Sequence, residues 1–277
     1  MSSLQPIQDR PKGVVNPSAA EKMFRLERYL PAADLAPYME YFWLVAWELP
    51  EGATHVQRTL PSPCVHLVFD AGRTAVFGVM TGAFEYTLKG TGRVLGIRFR
   101  PGGFRALLRR PLDSITDQTV SLTELFDLDT AQAEQAVLSA ADDAGMVAAA
   151  SALLRGVLPA GEAAQAGARY VAQLEAILEL IAQHPGLTQV QELADLAGLS
   201  VRRLQLLFKD AVGASPKWVL RRQRLLDAAD QLANGSAVDL ATLAQALGYY
   251  DQSHFTRDFE ELVGKPPADY RRACTAG

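Results

Sequence analysis

The chain has 277 residues, of which 49% are hydrophobic and 21% charged, with a formal net charge of −4. That length is long for one domain and comfortable for two. No apolar run reaches the ~18–20 residues of a membrane span, Met1 to Pro17 lacks the apolar core of a signal peptide, and two cysteines (Cys64 and Cys274) give neither a disulfide framework nor a metal pattern, so a soluble cytoplasmic protein is expected.

Residues 1–22 carry Pro6, Pro11, Pro17 and Gly13 and predict a flexible arm. Residues 23–127 predict a β-rich domain. Phe24–Leu30 is a short apolar stretch, Ala33–Tyr41 a helical turn, and Phe42–Trp47 a buried run. Thr54–Leu60, Cys64–Phe69, Thr74–Val79, Phe84–Leu88 and Val94–Phe99 follow, broken by Asp70-Ala71-Gly72 and by glycines at 78, 82, 90 and 92. Short strands at this spacing predict a β-sandwich or small barrel. Pro101-Gly102-Gly103 switches the period: Phe104–Arg110 and Leu122–Phe126 read as helix. Residues 128–160 predict a helical connector, with one or two alanine-rich helices in Ala131–Leu158. Ala163–Gln183 opens the C-terminal domain, residues 166–277, which is predicted to be all-helical and to fold alone.

Within that C-terminal domain a single pattern occurs twice. Leu193, Ala194, Ala197 and Gly198 recur as Leu243, Ala244, Leu247 and Gly248. Leu204, Phe208, Gly213 and Pro216 recur as Phe255, Phe259, Gly264 and Pro267. The offset grows from 50 to 51 because one extra residue stands between Gly248 and Asp251. Each copy reads as a helix, a glycine turn, a second helix, a glycine stop and a proline opening the next helix, which is a helix-turn-helix. Thr188 with Gln191 predicts a capping box, and Ser200 and Asp251 predict caps on the second helices. Those second helices have an apolar stripe on one side and, on the other, Arg202, Arg203 and Gln205, then Gln252, Ser253, Thr256 and Arg257. Arginine and glutamine on an exposed helix present the bidentate groups that base edges in a major groove accept. A single copy is equally well explained as a core helical hairpin; two copies in matched register point to double-stranded DNA. An acidic chain argues against a nucleic-acid binder, but residues 200–224 hold seven Lys or Arg and one acid. A merely solvated face is the other reading of that run.

The segment Ala244-x3-Gly248-Tyr249-x-Asp251-Gln252-Ser253-His254-Phe255-x-Arg257-x-Phe259, with Leu220 to Leu232 and Gly264-Lys265-Pro266-Pro267-x3-Tyr270-Arg271, resembles the DNA-binding domain of the AraC/XylS family of transcription regulators. The resemblance covers about the last hundred residues. It implies two units joined by one long helix, here Pro216 to about Asn234, each placing its second helix in a major groove. On this basis Arg202, Gln205, Leu206, Gln252, Ser253, Thr256 and Arg257 are the expected base contacts, and Ser200, Arg203, Lys209 and Arg224 the expected backbone contacts. Leu206 departs from the family, many of whose members have arginine there; leucine offers only apolar contact. Arg224 is expected to meet a phosphate, or a carboxylate that ties the two units together. More loosely, Leu60-Pro61-x2-Cys64, Gly78-x-Met80-Thr81-Gly82 and Gly96 to Gly103 resemble an uncharacterised β-rich domain that often precedes such DNA-binding halves. That implies a sensory or oligomerising role, with a small-molecule effector, a second copy of the chain and RNA polymerase as candidate partners.

Other chemistry is weaker. His55 and His66 fall on strands expected to be neighbours, but four histidines in all (55, 66, 184 and 254) do not make a cupin-like metal set. Cys64 reads as a buried thiol, since alkyl-transferring relatives use several cysteines. Arg98 and Arg100 share a strand face and either hold an anion beside the Pro101-Gly102-Gly103 turn or pair with carboxylates such as Glu85 or Asp113. Trp43 and Trp47 share a face, as core packing or as a ligand wall. Trp43, Trp47, His66 and Arg98 are therefore the candidate ligand residues. No catalytic residue, metal or cofactor is expected. The competing reading is a metal-binding or enzymatic barrel fused to a DNA-binding tail.

Overall fold

The computed structural model describes residues 4–9, 23–108, 110–159, 161–233 and 238–275. Among these residues the N-terminal domain has eight strands: β1 (Arg25–Tyr29), β2 (Met39–Glu48), β3 (Thr54–Thr59), β4 (His66–Phe69), β5 (Ala75–Phe77), β6 (Phe84–Lys89), β7 (Thr91–Phe99) and β8 (Thr119–Val120). Six of them form an open sheet in the order β1-β2-β7-β4-β5-β8, while β3 and β6 pair, among the described residues, only with each other. The domain is therefore not a closed barrel: a two-stranded ribbon lies as a second layer over a six-stranded sheet. Of the expected arm, residues 1–3 and 10–22 lie outside the described residues. Residues 4–9 hold to β1, with a Pro6–Tyr29 bridge and an Ile7 N–H donating to the Arg28 carbonyl.

Period-2 alternation decides what each sheet face meets. Phe42, Leu44, Leu67, Phe69, Leu95, Ile97 and Phe99 point to one side and are buried. They pack on helices that follow the sheet: α2 (Thr130–Leu138), α3 (Asp143–Val157) and α4 (Glu162–Gln183), through Val137, Met146, Leu154, Leu174 and Ile177. The expected connector is thus part of this core, after a short α1 (Leu122–Phe126) capped by Ser121. Ala33–Tyr41 divides into a turn and the start of β2. Of the helix expected at Phe104–Arg110, residue 109 lies outside the described residues, and the rest contains the 3-10 turn Gly103–Ala106; a second 3-10 turn spans Leu112–Ile115.

The C-terminal region contains α5 (Val190–Leu196), α6 (Val201–Ala211), α7 (Pro216–Ala233), α8 (Leu240–Ala246), α9 (Gln252–Val263) and α10 (Pro267–Thr275). Both copies of the repeat fold alike. The four glycines at 198, 213, 248 and 264 all have φ between 64° and 83°, the left-handed region that a side chain would strain. Ser200 accepts from the Arg203 N–H at 3.3 Å and Asp251 from the His254 N–H at 2.7 Å, as expected of N-caps. The extra residue of the second turn is Tyr250, 94% exposed, so the insertion is absorbed in solvent and Tyr249 takes the inward place of Leu199. The capping box is the local rule that fails. α5 starts after Gln189 with no side-chain cap, and the Thr188 methyl instead lies against Gly248 of the second unit. A contact between units has displaced a local hydrogen bond.

Candidate nucleic-acid interface and N-terminal cavity

Helix α6 buries Leu204, Leu207, Phe208 and Ala211, and helix α9 buries Phe255, Asp258, Phe259, Leu262 and Val263. Burying those stripes turns the opposite faces outward. Arg202, Arg203, Gln205, Leu206 and Lys209 on α6 are exposed, as are Gln252, Ser253 and Arg257 on α9, with Thr256 half-buried. Ser200 is exposed at the α6 cap. Lys209 lies 3.5 Å from Asp113 of the N-terminal domain, which places it at the domain boundary. Arg224 has a third kind of partner, neither phosphate nor carboxylate. Its Nη1 donates to the Leu247 carbonyl at 2.6 Å, its guanidinium lies over the Tyr249 ring, and its Nε is buried without a partner among the described residues. It therefore ties α7 to the turn of the second unit.

The two units have different supports. α6 shares one hydrophobic core with the N-terminal domain, in which Phe208, Ala211 and Val212 join Phe104, Leu112 and Ile115. Arg105 adds a 3.0 Å bond to Asp210, and the Thr116 hydroxyl donates to the Gly213 carbonyl. The second unit closes a core of its own around Phe255 and Phe259, joined from outside by Leu60. Sequence reasoning missed the residue that fixes α9. Asp258 is buried and accepts from Arg221 of α7 at 2.8 Å and from the Tyr249 hydroxyl at 3.1 Å. Burial, with the Asp258 charge second, raises the Tyr249 hydroxyl pKa, so it stays a donor. The available signal was a lone carboxylate three residues after Phe255, inside an apolar stripe.

The ligand candidates meet in one place. Between the β3–β6 ribbon and the free face of the sheet lies a cavity of about 840 Å³, with Trp43, Trp47, His66 and Arg98 all in its wall. Its width has a local cause. Trp43 pairs with Gly96 and Trp47 with Gly92, and a Cβ at either glycine would overlap the indole; the rings lie flat on the sheet because those positions are bare. Trp43 Nε1 donates to His66 Nδ1 at 3.3 Å. Burial, and then the Arg98 charge, push the His66 pKa down to about 3, so the ring is neutral near pH 7. His55 is not on a neighbouring strand, because β3 left the main sheet to pair with β6; its ring instead bonds Gln57 at 3.3 Å. Arg98 and Arg100 do pair with carboxylates, but with Glu40 and Glu175, since Glu85 is taken by Arg58 and Asp113 by Lys209. Cys64 is buried. Among the described residues no cluster of three His, Cys, Asp or Glu side chains could hold a metal ion, and no helix is long and apolar enough to cross a membrane.

Residues 193–273 match the model of a helix-turn-helix domain, and residues 27–121 match a domain of unknown function, DUF6597. A protein described as an AraC-like transcription regulator of Streptomyces lividans is 41% identical over 86 residues, covering 31% of this chain and 28% of that protein. The C-terminal region is an AraC-type DNA-binding domain. A further relative of this AraC-type domain, the RCS-specific HTH-type transcriptional activator RclR of Escherichia coli (strain K12), is 31% identical over 100 residues, covering 36% of this chain and 35% of its own. The chain thus spans between about a quarter and about a third of the length of these curated relatives. Among solved structures, an AraC-type transcriptional regulator from Chromobacterium violaceum aligns with a TM-score of 0.35 and 21% identity, covering 37% of this chain and 92% of that one.

Proposed function

We propose that the chain is a sequence-specific transcription regulator whose two AraC-type units read successive major grooves and whose N-terminal domain receives a small-molecule effector in the cavity. The observation that carries the reading is the pair of exposed polar faces on α6 and α9, held by one joining helix. α7 has 18 residues, a length of about 27 Å at ~1.5 Å per residue, on the scale of the roughly 34–36 Å between successive grooves on one side of a duplex. Base reading is assigned to Arg202, Gln205, Leu206, Gln252, Ser253, Thr256 and Arg257, and backbone contact to Ser200, Arg203 and Lys209. Arg224 is reassigned as a positioning residue, because its donor and ring contacts are already used inside the protein. A second copy of the chain and RNA polymerase are further partners in this reading, which requires no catalysis. The test is selection of bound sequences from random duplex DNA by the full chain. The expected result is an enriched site with two blocks about 10 base pairs apart. Binding with no enriched sequence would overturn the reading.

A further inference from the structure

The ribbon that covers the cavity also leads into contacts with the second helix-turn-helix unit. Its inner side supplies Gln57, Thr59, Phe84 and Tyr86 to the cavity. Among the described residues it forms no ladder with the main sheet, and side chains hold it there: Tyr86 donates to Asp70 at 2.8 Å, and Phe84 and Tyr86 meet the rings of Phe77 and Trp47. The ribbon is anchored at one end, where β6 passes through Gly90 into β7 and the Gly90 carbonyl accepts from the Leu49 N–H; beyond that end it can shift without breaking a strand ladder. The end of β3 then runs into the second unit. The Arg58 guanidinium presses on Gly264, where a Cβ would overlap it. Leu60 packs on the core of Phe255 and Phe259. The Pro61 carbonyl accepts from Arg222 of α7.

The same end of the cavity has a distinct charge. Arg28 and Arg98 flank the Tyr41 ring at 5.5 and 5.7 Å. Arg98 has Glu40, whereas Arg28 and Arg222 have no carboxylate partner among the described residues. Burial, opposed by nearby Cys64 and aided by Arg98, pushes the Arg222 pKa down to about 10. The Ser62 hydroxyl in this wall is buried and unpartnered. The rest of the wall is mostly apolar and includes the rings of Trp43, Trp47, Phe77 and Phe84, while its carboxylates Asp70 and Glu85 are paired with Arg73 and Arg58; the volume is in the roughly 300–1,000 Å³ range of drug-sized ligand sites. Arg28 in this wall, with Arg222 behind it at Pro61, favours one negative charge on an otherwise apolar molecule.

We propose that the cavity takes a flat, mostly apolar small molecule bearing a single anionic group, and that the β3–β6 ribbon transmits its occupancy to the second helix-turn-helix unit. The proposal rests on the effector-responsive reading above and adds the ligand class and the route. Occupancy holds the ribbon in place, and with it the Arg58, Leu60 and Pro61 contacts that steady α9 and α10; the first unit, embedded in the N-terminal core, is unaffected.

The probe is 1-anilinonaphthalene-8-sulfonate, an aromatic monoanion, added to the full chain. Saturable binding should quench Trp43 and Trp47 by energy transfer. Ala75→Phe, which fills the cavity, should abolish it. Arg28→Gln, which removes the wall cation that has no carboxylate partner among the described residues, should weaken it about tenfold, the value of one charged contact, while sparing the neutral analogue N-phenyl-1-naphthylamine. With probe at about ten times its Kd, amide hydrogen exchange in α9 and α10 should slow by up to about tenfold, with α6 unchanged. Arg58→Ala, outside the cavity wall, should bind probe like the wild type and lose that response. Probe binding that survives both cavity substitutions, or no binding, overturns the ligand class. Cavity binding with unchanged exchange in α9 overturns the route. Neither result touches the selection experiment, whose failure would instead remove the DNA-binding reading and leave the cavity and its route standing.

Discussion

Helix α6 buries Leu204, Leu207 and Phe208 in a core that continues into the N-terminal sheet, whereas α9 buries Phe255, Phe259 and Leu262 in a smaller core met by the N-terminal domain through Leu60. The two units have matching turns, caps and glycine stops. What differs is the cover on their cores. The repeat determines the shape of each unit, and the surroundings determine how independently each can move. A reader with one unit anchored and one tethered can hold its position on DNA with the first and gate recognition with the second.

The largest expected effect separates the two cores. Phe208→Ala and Phe259→Ala should each cost about 3–5 kcal/mol. Loss of Phe208 should lower the melting of the N-terminal sheet as well, because the core is shared. Loss of Phe259 should release only the second unit, seen as a separate early transition by circular dichroism with the fluorescence of Trp43 and Trp47 retained. One coincident transition in both variants would remove the distinction. Next is Asp258→Ala, which strands Arg221 and the Tyr249 hydroxyl. It should cost about 1–3 kcal/mol, again confined to the second unit in thermal melts.

Much of this arrangement was legible in the sequence. The strands were visible because alternation and glycine breaks are local, and the doubled motif because an offset of 50 survives any packing. Trp43 and Trp47 were correctly placed on one face, and His66 and Arg98 were named with them. What could not be read was pairing at a distance. Nothing local tells β3 to leave the sheet for β6, so His55 was put beside His66 and a closed barrel stayed open as an option. The bare places at Gly92 and Gly96 acquire meaning only once β7 lies beside β2. Thr188 looked like a cap because its tertiary partner, Gly248, is far along the chain. Asp258 had no role in the sequence reading, because Arg221 and Tyr249 meet it only in the folded chain.

Smaller effects test the reading faces. Arg257→Ala should cost about 1–3 kcal/mol of DNA binding and relax preference at one or two base pairs, measured across an operator library. Arg224→Ala should instead loosen the second unit and lower affinity on all sequences with the salt slope unchanged; a slope reduced by about one would restore it as a phosphate contact. The least expected change is from Leu206→Arg on the anchored unit. It should raise affinity on many sequences and steepen the salt slope by about one, and unchanged binding would mean that Leu206 only widens the apolar stripe.

The most direct test of an anchored first unit and a tethered second is native-state hydrogen exchange on the unliganded full chain. Amides of α6 between Leu204 and Phe208 should be protected within about tenfold of those in β7 between Leu95 and Ile97, and amides of α9 between Phe255 and Phe259 should exchange at least about tenfold faster. Equal protection in α6 and α9, or faster exchange in α6, would contradict the account.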